Sequence, residues 1–114
     1  MANKIEELRN WGCDIDGAFE RFLNDENLYD ECLMMFVEDE NIEALKEHIN
    51  DENQKVPFSI VHTLKGVTGN LGLTPLYESL VILCESLRHN KYDIKSGYYD
   101  IVQTNLDTFV EIMK

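Results

Sequence analysis

Pro57-Phe58-Ser59-Ile60-Val61-His62-Thr63-Leu64-Lys65-Gly66-Val67-Thr68-Gly69-Asn70-Leu71 decides the fold of this chain. Pro57, Ile60, Val61, Leu64, Val67, Thr68 and Leu71 fall within about 60° of a common direction at helical pitch, so the segment reads as one amphipathic helix. Gly72 stops it as a C-terminal cap. Thr74-Pro75 then starts another helix, with a capping hydroxyl and a proline in the first turn.

The same periodicity extends in both directions. The helix after Pro75 buries Leu76, Tyr77, Leu80, Leu83, Cys84 and Leu87 and frays near His89-Asn90. Ser96-Gly97 opens a last helix with Tyr98, Ile101, Val102, Phe109, Ile112 and Met113 on its inner face. Upstream, Tyr29, Cys32, Leu33 and Phe36 share one face, and Asn24-Asp25 offers capping oxygens before them. Continued straight, that helix would put Ile42, Leu45 and Ile49 on nearly the opposite side from Phe36. A break is therefore expected in Glu38-Asp39-Glu40-Asn41, with a further helical piece to about Asn50. A short helix over Lys4 to Asn10 ends near Gly12, and a second runs from about Asp16 to Leu23 with Ile15, Phe19, Phe22 and Leu23 as its stripe. No stretch alternates as a strand. The expectation is a single all-α domain over 1–114 with its core at about 15–113. Short turns between long helices make it an antiparallel up-and-down four-helix bundle with short N-terminal helices, Trp11 acting as a plug.

Composition narrows the class of function. The net charge of −12 repels nucleic acid and anionic membranes alike and suits a monomer that meets other proteins. No apolar run approaches the roughly 18 residues of a membrane span. The charged start Met1-Ala2-Asn3-Lys4-Ile5-Glu6-Glu7 lacks the apolar core of a signal peptide, so a cytoplasmic protein is expected. Cys13, Cys32 and Cys84 are far apart and form no C-x-x-C pair, which leaves buried, reduced thiols as the plain reading.

One face of the Pro57–Leu71 helix does not fit a purely structural purpose. His62 lies about 160° from Leu64, the centre of the core stripe, and so points to solvent. Lys55, Ser59, Gly66 and Gly69 share that side, with Lys65 at its border. Each interior glycine costs a helix roughly 1 kcal/mol relative to alanine. Bare backbone beside an exposed imidazole opens it to close approach by another protein. Alternatively, either glycine admits a neighbouring helix or loop. Between Glu52 and Glu78 there is no acidic residue, although 22 of the 114 residues are Asp or Glu. The only formal charges in that gap are Lys55 and Lys65. Anionic groups arriving at His62 would thus meet cations and no carboxylate.

His62-Thr63-Leu64-Lys65-Gly66-Val67-Thr68-Gly69-Asn70-Leu71-Gly72 resembles the signature of histidine-containing phosphotransfer (HPt) domains. The match comprises the His, the Leu-Lys-Gly two to four positions on, and the hydrophobic-Gly pair near the helix end. Leu28-Tyr29 through Phe36-Val37-Glu38-Asp39 is similar to the preceding helix of such domains, and Leu76 to Leu87 to the following one, so the resemblance spans about 15–113. It implies a bundle in which His62 accepts a phosphoryl group, Lys65 helps hold it and Gly66 keeps the approach open. The implied partners are receiver domains of a hybrid sensor kinase and a response regulator. No cofactor is expected in this chain, because the receiver would supply Mg²⁺. The sequence has no G-x-x-x-x-G-K-[ST] loop for ATP, so no autonomous kinase activity is expected.

Phe58, about 40° from His62 on the same helix, is expected to contact a partner together with Ser59 and Gly69. Ile82 also points away from its own core stripe, and its distance from His62 depends on how the helices pair. Two other readings share the fold. One is a non-catalytic acidic adaptor with an incidental His62. The other is a metal or haem bundle using His48, His62 and His89, none of which are paired at the i, i+4 spacing that helical ligands favour.

Overall fold

The computed structural model describes residues 2–114. Within them the chain is all-helical: α1 (Ala2–Trp11), α2 (Ile15–Arg21), α3 (Glu26–Val37), α4 (Glu40–His48), α5 (Lys55–Asn70), α6 (Thr74–Arg88) and α7 (Tyr98–Met113), with a 3₁₀ turn at Ile94–Ser96. The described part measures 42 × 22 × 20 Å. Packing runs from α4 to α5, from α5 to α6 and from α6 to α7, while α3 and α1 both lie against α7.

Helix starts follow local chemistry. Asp25 Oδ1 accepts from the Leu28 N–H to cap α3, and Asp39 Oδ1 accepts from the Asn41 N–H to cap α4. The expected break thus falls at Glu38-Asp39, where a cap interrupts the helix and lets its apolar face rotate. α2 begins one residue earlier than expected, because Asp14 accepts from the Gly17 N–H. It also ends earlier. Leu23 and Asn24 adopt φ of 54° and 60°, which turns the chain and leaves Leu23 88% exposed. Leu23 is therefore no part of the inner stripe.

The α5–α6 turn is the most tightly specified element. The Leu73 N–H donates to Thr68 O at 3.0 Å and the Gly72 N–H to Gly69 O at 3.2 Å, a Schellman arrangement that satisfies the last carbonyls of α5. Gly72 holds φ of 70°, and a Cβ there would come within 2.4 Å of Asp14 O. Glycine is required on both counts. Asp14 N–H donates back to Gly72 O at 2.8 Å, and the buried Tyr29 hydroxyl donates to Leu71 O at 2.7 Å. Arg21 adds hydrogen bonds to Gly69 O and Asn70 O. The N-terminal helices are thereby tied to the end of α5. Thr74 departs from expectation: its hydroxyl accepts from Asp14 N–H and makes no cap bond to α6, so it serves this long-range tie.

The core joins Val61 and Leu64 of α5, Leu76, Leu80, Leu83 and Leu87 of α6, and Val102, Leu106, Phe109 and Met113 of α7. Tyr29, Leu33 and Phe36 of α3 close it, and Leu45 extends it to α4. Leu8 of α1 is fully buried while Trp11 is half-buried, so Leu8 is the deeper N-terminal plug. Three residues expected inside lie at the rim. Tyr98 and Ile101 are exposed because the inner stripe of α7 runs through Val102, Leu106, Phe109 and Met113; Ile101 lies about 100° from Val102. Tyr77 is exposed as well, with its ring laid over α5.

Candidate functional site

α5 carries the candidate site because its two sides are so unlike. Val61, Leu64 and Thr68 are completely buried, and they hold the helix rotation. On the opposite side Lys55, Ser59, His62, Thr63 and Gly66 are exposed. The outward placement of His62 is thus a consequence of what Leu64 buries.

The three histidines differ in their bonding. His48 Nδ1 lies 2.8 Å from Asp51 Oδ2, and His89 Nε2 lies 3.0 Å from Glu85 Oε1. Among the described residues, His62 makes no hydrogen bond through its imidazole. The half-buried Phe58 ring, one turn back, lies 5.8 Å from it between centroids and is inclined by 40°. Both ring nitrogens of His62 are open to an incoming group.

Gly66 and Gly69 separate cleanly. A Cβ at Gly66 would meet nothing within 4 Å, whereas one at Gly69 would lie 3.1 Å from the Tyr77 ring. Gly69 therefore does not belong to the bare ridge. Its lack of a side chain lets Tyr77 of α6 lie against α5. Gly66 has no such internal use.

Lys65, three residues beyond His62, is half-buried and forms no ion pair among the described residues. Residues three apart on a helix bring their Cβ atoms to about 5–6 Å, so its ammonium can reach a group held on His62. A second cation comes from α6. The Arg88 guanidinium sits 5.0 Å over the Phe58 ring, a cation–π contact, and its Nε donates to Glu85 Oε2 at 3.2 Å. Hydrogen bonds from His89 and then Arg88 hold the Glu85 carboxyl below its ordinary range. Phe58 thus neighbours both His62 and Arg88.

Arg88 escaped the sequence reading, but the signal was available. A short turn centred on Leu73 makes α5 and α6 antiparallel, so residues equally far from it face each other. Gly69 and Tyr77 lie four residues either side, and Phe58 and Arg88 fifteen. The same rule sets Val81, exposed on the stripe that contains Tyr77 and Arg88, near the level of His62 and Gly66. Ile82 is about 100° further round α6, so its 53% exposure faces away from His62.

The Hpt domain family matches residues 33–111 of the chain, a span that begins within α3 and ends within α7. The chain belongs to the Hpt domain family. Its role is accordingly phosphotransfer in two-component signalling, in which Hpt domains interact with receiver domains. No curated protein and no solved structure matches it. The span includes His62, Lys65 and Gly66, but not α1 and α2, which the resemblance read from sequence included in part. No helix of the described residues is long and apolar enough to cross a membrane.

Proposed function

We propose that His62 carries the phosphoryl group as phosphohistidine, relaying it between the receiver domain of a hybrid sensor kinase and that of a response regulator. The observation that carries this reading is the pairing of an unbonded, exposed imidazole with the empty space at Gly66. A lone pair on one imidazole nitrogen attacks the phosphorus of the receiver's aspartyl phosphate. The N–P bond forms as the P–O bond breaks, and the aspartate carboxylate leaves with the electron pair. The reverse step delivers the group to a second receiver. Lys65 offsets the anionic charge, and Arg88 lies within a side-chain swing of the same place. Phe58 and Ser59 flank the ring and contact the docked receiver.

The chain itself supplies no metal or nucleotide site in this account; Mg²⁺ comes with the receiver's acidic pocket. In the same reading, α3 with α4, then α5, α6 and α7, form the arms of an antiparallel four-helix bundle. The protein works as a cytoplasmic monomer.

Incubation with a phosphorylated receiver domain tests the proposal. Intact mass should show one added phosphoryl group, labile to acid and stable to base, and His62→Gln should fold normally and take up none. Uptake by the His62→Gln variant would refute the site. Failure of the wild-type chain with several receivers would favour a non-catalytic adaptor.

A further inference from the structure

The far end of the α5–α6 pair is closed by side-chain amides. Phe58 and Arg88 lie fifteen residues from Leu73, about 22 Å along their helices, where any splaying from the turn is widest. Gln54, just before α5, is buried. Its Nε2 donates to Tyr92 O at 2.9 Å, and its Oε1 accepts from the Tyr92 N–H at 3.1 Å. The Gln54 N–H donates to Asn90 Oδ1 at 3.0 Å. Among the described residues, these are the hydrogen bonds that join the α4–α5 connection to the α6–α7 connection. Gln54 and Asn90 also line two clefts, one of about 510 Å³ beside Phe58 and Arg88 and one of about 370 Å³ beside Tyr92. The amides thus tie an end at which clefts interrupt the packing.

Asn90 is the more telling of the two. Its N–H donates to Leu87 O and the Lys91 N–H donates to Ser86 O, the same Schellman arrangement that ends α5. At the equivalent place α5 uses Gly72, whereas α6 uses Asn90 at φ of 54°. Glycine takes that conformation without strain, so the helix end alone gives no reason for a side chain. The side chain's hydrogen bond goes to Gln54. Gln54 shows the same preference. It stands at the N-cap of α5 yet makes no capping bond there, and its amide reaches across to Tyr92 instead. Each residue forgoes the locally simpler role for the link, and a buried amide is costly to leave unpaired.

We propose that Gln54 and Asn90 are positioning residues for phosphoryl transfer, holding Arg88 beside Phe58 so that its guanidinium is in place for the phosphoryl group on His62. This role rests on His62 as the phosphoryl carrier. Arg88 is the last residue of α6, two before Asn90, at a point where an untied helix end frays. Its Nε is engaged by Glu85, and its guanidinium lies 5.0 Å from the centre of the Phe58 ring. The terminal nitrogens make no hydrogen bond among the described residues, and they are donors suited to an anion. A long side chain already held near its target loses less freedom on meeting it. The clasp therefore acts on the transfer through Arg88.

Asn90→Gly tests this on the full chain, because it keeps the left-handed cap and removes only the acceptor. In the wild type the Phe58 ring should shift the Arg88 side-chain protons upfield in NMR spectra. Asn90→Gly should move them most of the way to their position in Phe58→Leu. Transfer from a phosphorylated receiver should slow about threefold in Asn90→Gly and in Arg88→Met. The double variant should be no slower than Arg88→Met alone. Gln54→Leu should follow the same pattern, with a lower thermal midpoint from the unpaired Tyr92 backbone. Asn105→Ala cuts the bonds from α7 to Pro75 O and Ser79 Oγ at the other end of α6; it should lower the midpoint and leave both the rate and the Arg88 shift unchanged. Losses that multiply in the double variant, an equal slowing by Asn105→Ala, or an unmoved Arg88 shift in Asn90→Gly would overturn the proposal. A wild type that takes up no label would remove the carrier itself, and the ring shift, read without phosphate, separates that failure from failure of the clasp.

Discussion

Gly66 and Gly69 stand three residues apart on one helix, and in sequence they are the same anomaly, a glycine inside α5. In the structure they have different causes. Gly69 is covered by the Tyr77 ring, and its carbonyl accepts from Arg21. Gly66 faces open space next to His62. One glycine serves the packing of two helices and the other serves nothing inside the molecule. The conformational cost at Gly66 has no return inside the molecule, and the proposed approach of a receiver to His62 would supply one.

Substitution by leucine should separate the two most sharply. Gly66→Leu should slow transfer from a receiver by about a hundredfold, the scale at which about 1 Å of misplacement acts on a reacting pair. Its thermal midpoint should stay level or rise, since leucine is the better helix former. Gly69→Leu should do the reverse. Overpacking against Tyr77 should cost about 1–3 kcal/mol in urea unfolding, with near-normal transfer by the folded fraction. In a Tyr77→Ala background that penalty should shrink, a coupling that a double-mutant cycle measures. Unfolding by Gly66→Leu alongside a stable Gly69→Leu would exchange the two roles. Lys65→Ala should have the smallest effect, slowing transfer about threefold, in line with the roughly 0.2–1 kcal/mol of a partly exposed charge pair. An unchanged rate would leave Lys65 as a surface residue.

Much of α5 is legible in the sequence. Val61 and Leu64 are buried as the 3.6-residue period requires, and Gly72 ends the helix through its left-handed backbone. Asp39, placed where the apolar stripe changes side, marks the real break between α3 and α4. Periodicity assigns each residue a direction, but it does not say what waits there. Tyr77, Tyr98 and Ile101 sit at the edges of their stripes, where a neighbouring helix decides between core and rim. Leu23 continues the stripe of α2 in sequence, and no local signal announces its left-handed backbone. Thr74 has the chemistry of a cap, yet a residue sixty positions away takes its hydroxyl. Arg88 joins the site only through the register of α5 against α6. Apart from Leu23, these residues depend on what another part of the chain places beside them, which the period of a single helix does not contain.

The histidines allow the most direct test. His48 and His89 are held by carboxylates, and His62 is not. Transfer from a labelled receiver should be measured on the wild type and on His48→Gln, His62→Gln and His89→Gln, each checked for folding. The account predicts full labelling of the wild type, His48→Gln and His89→Gln, and none of His62→Gln. Label retained by a folded His62→Gln, or lost only with His48→Gln or His89→Gln, would contradict it.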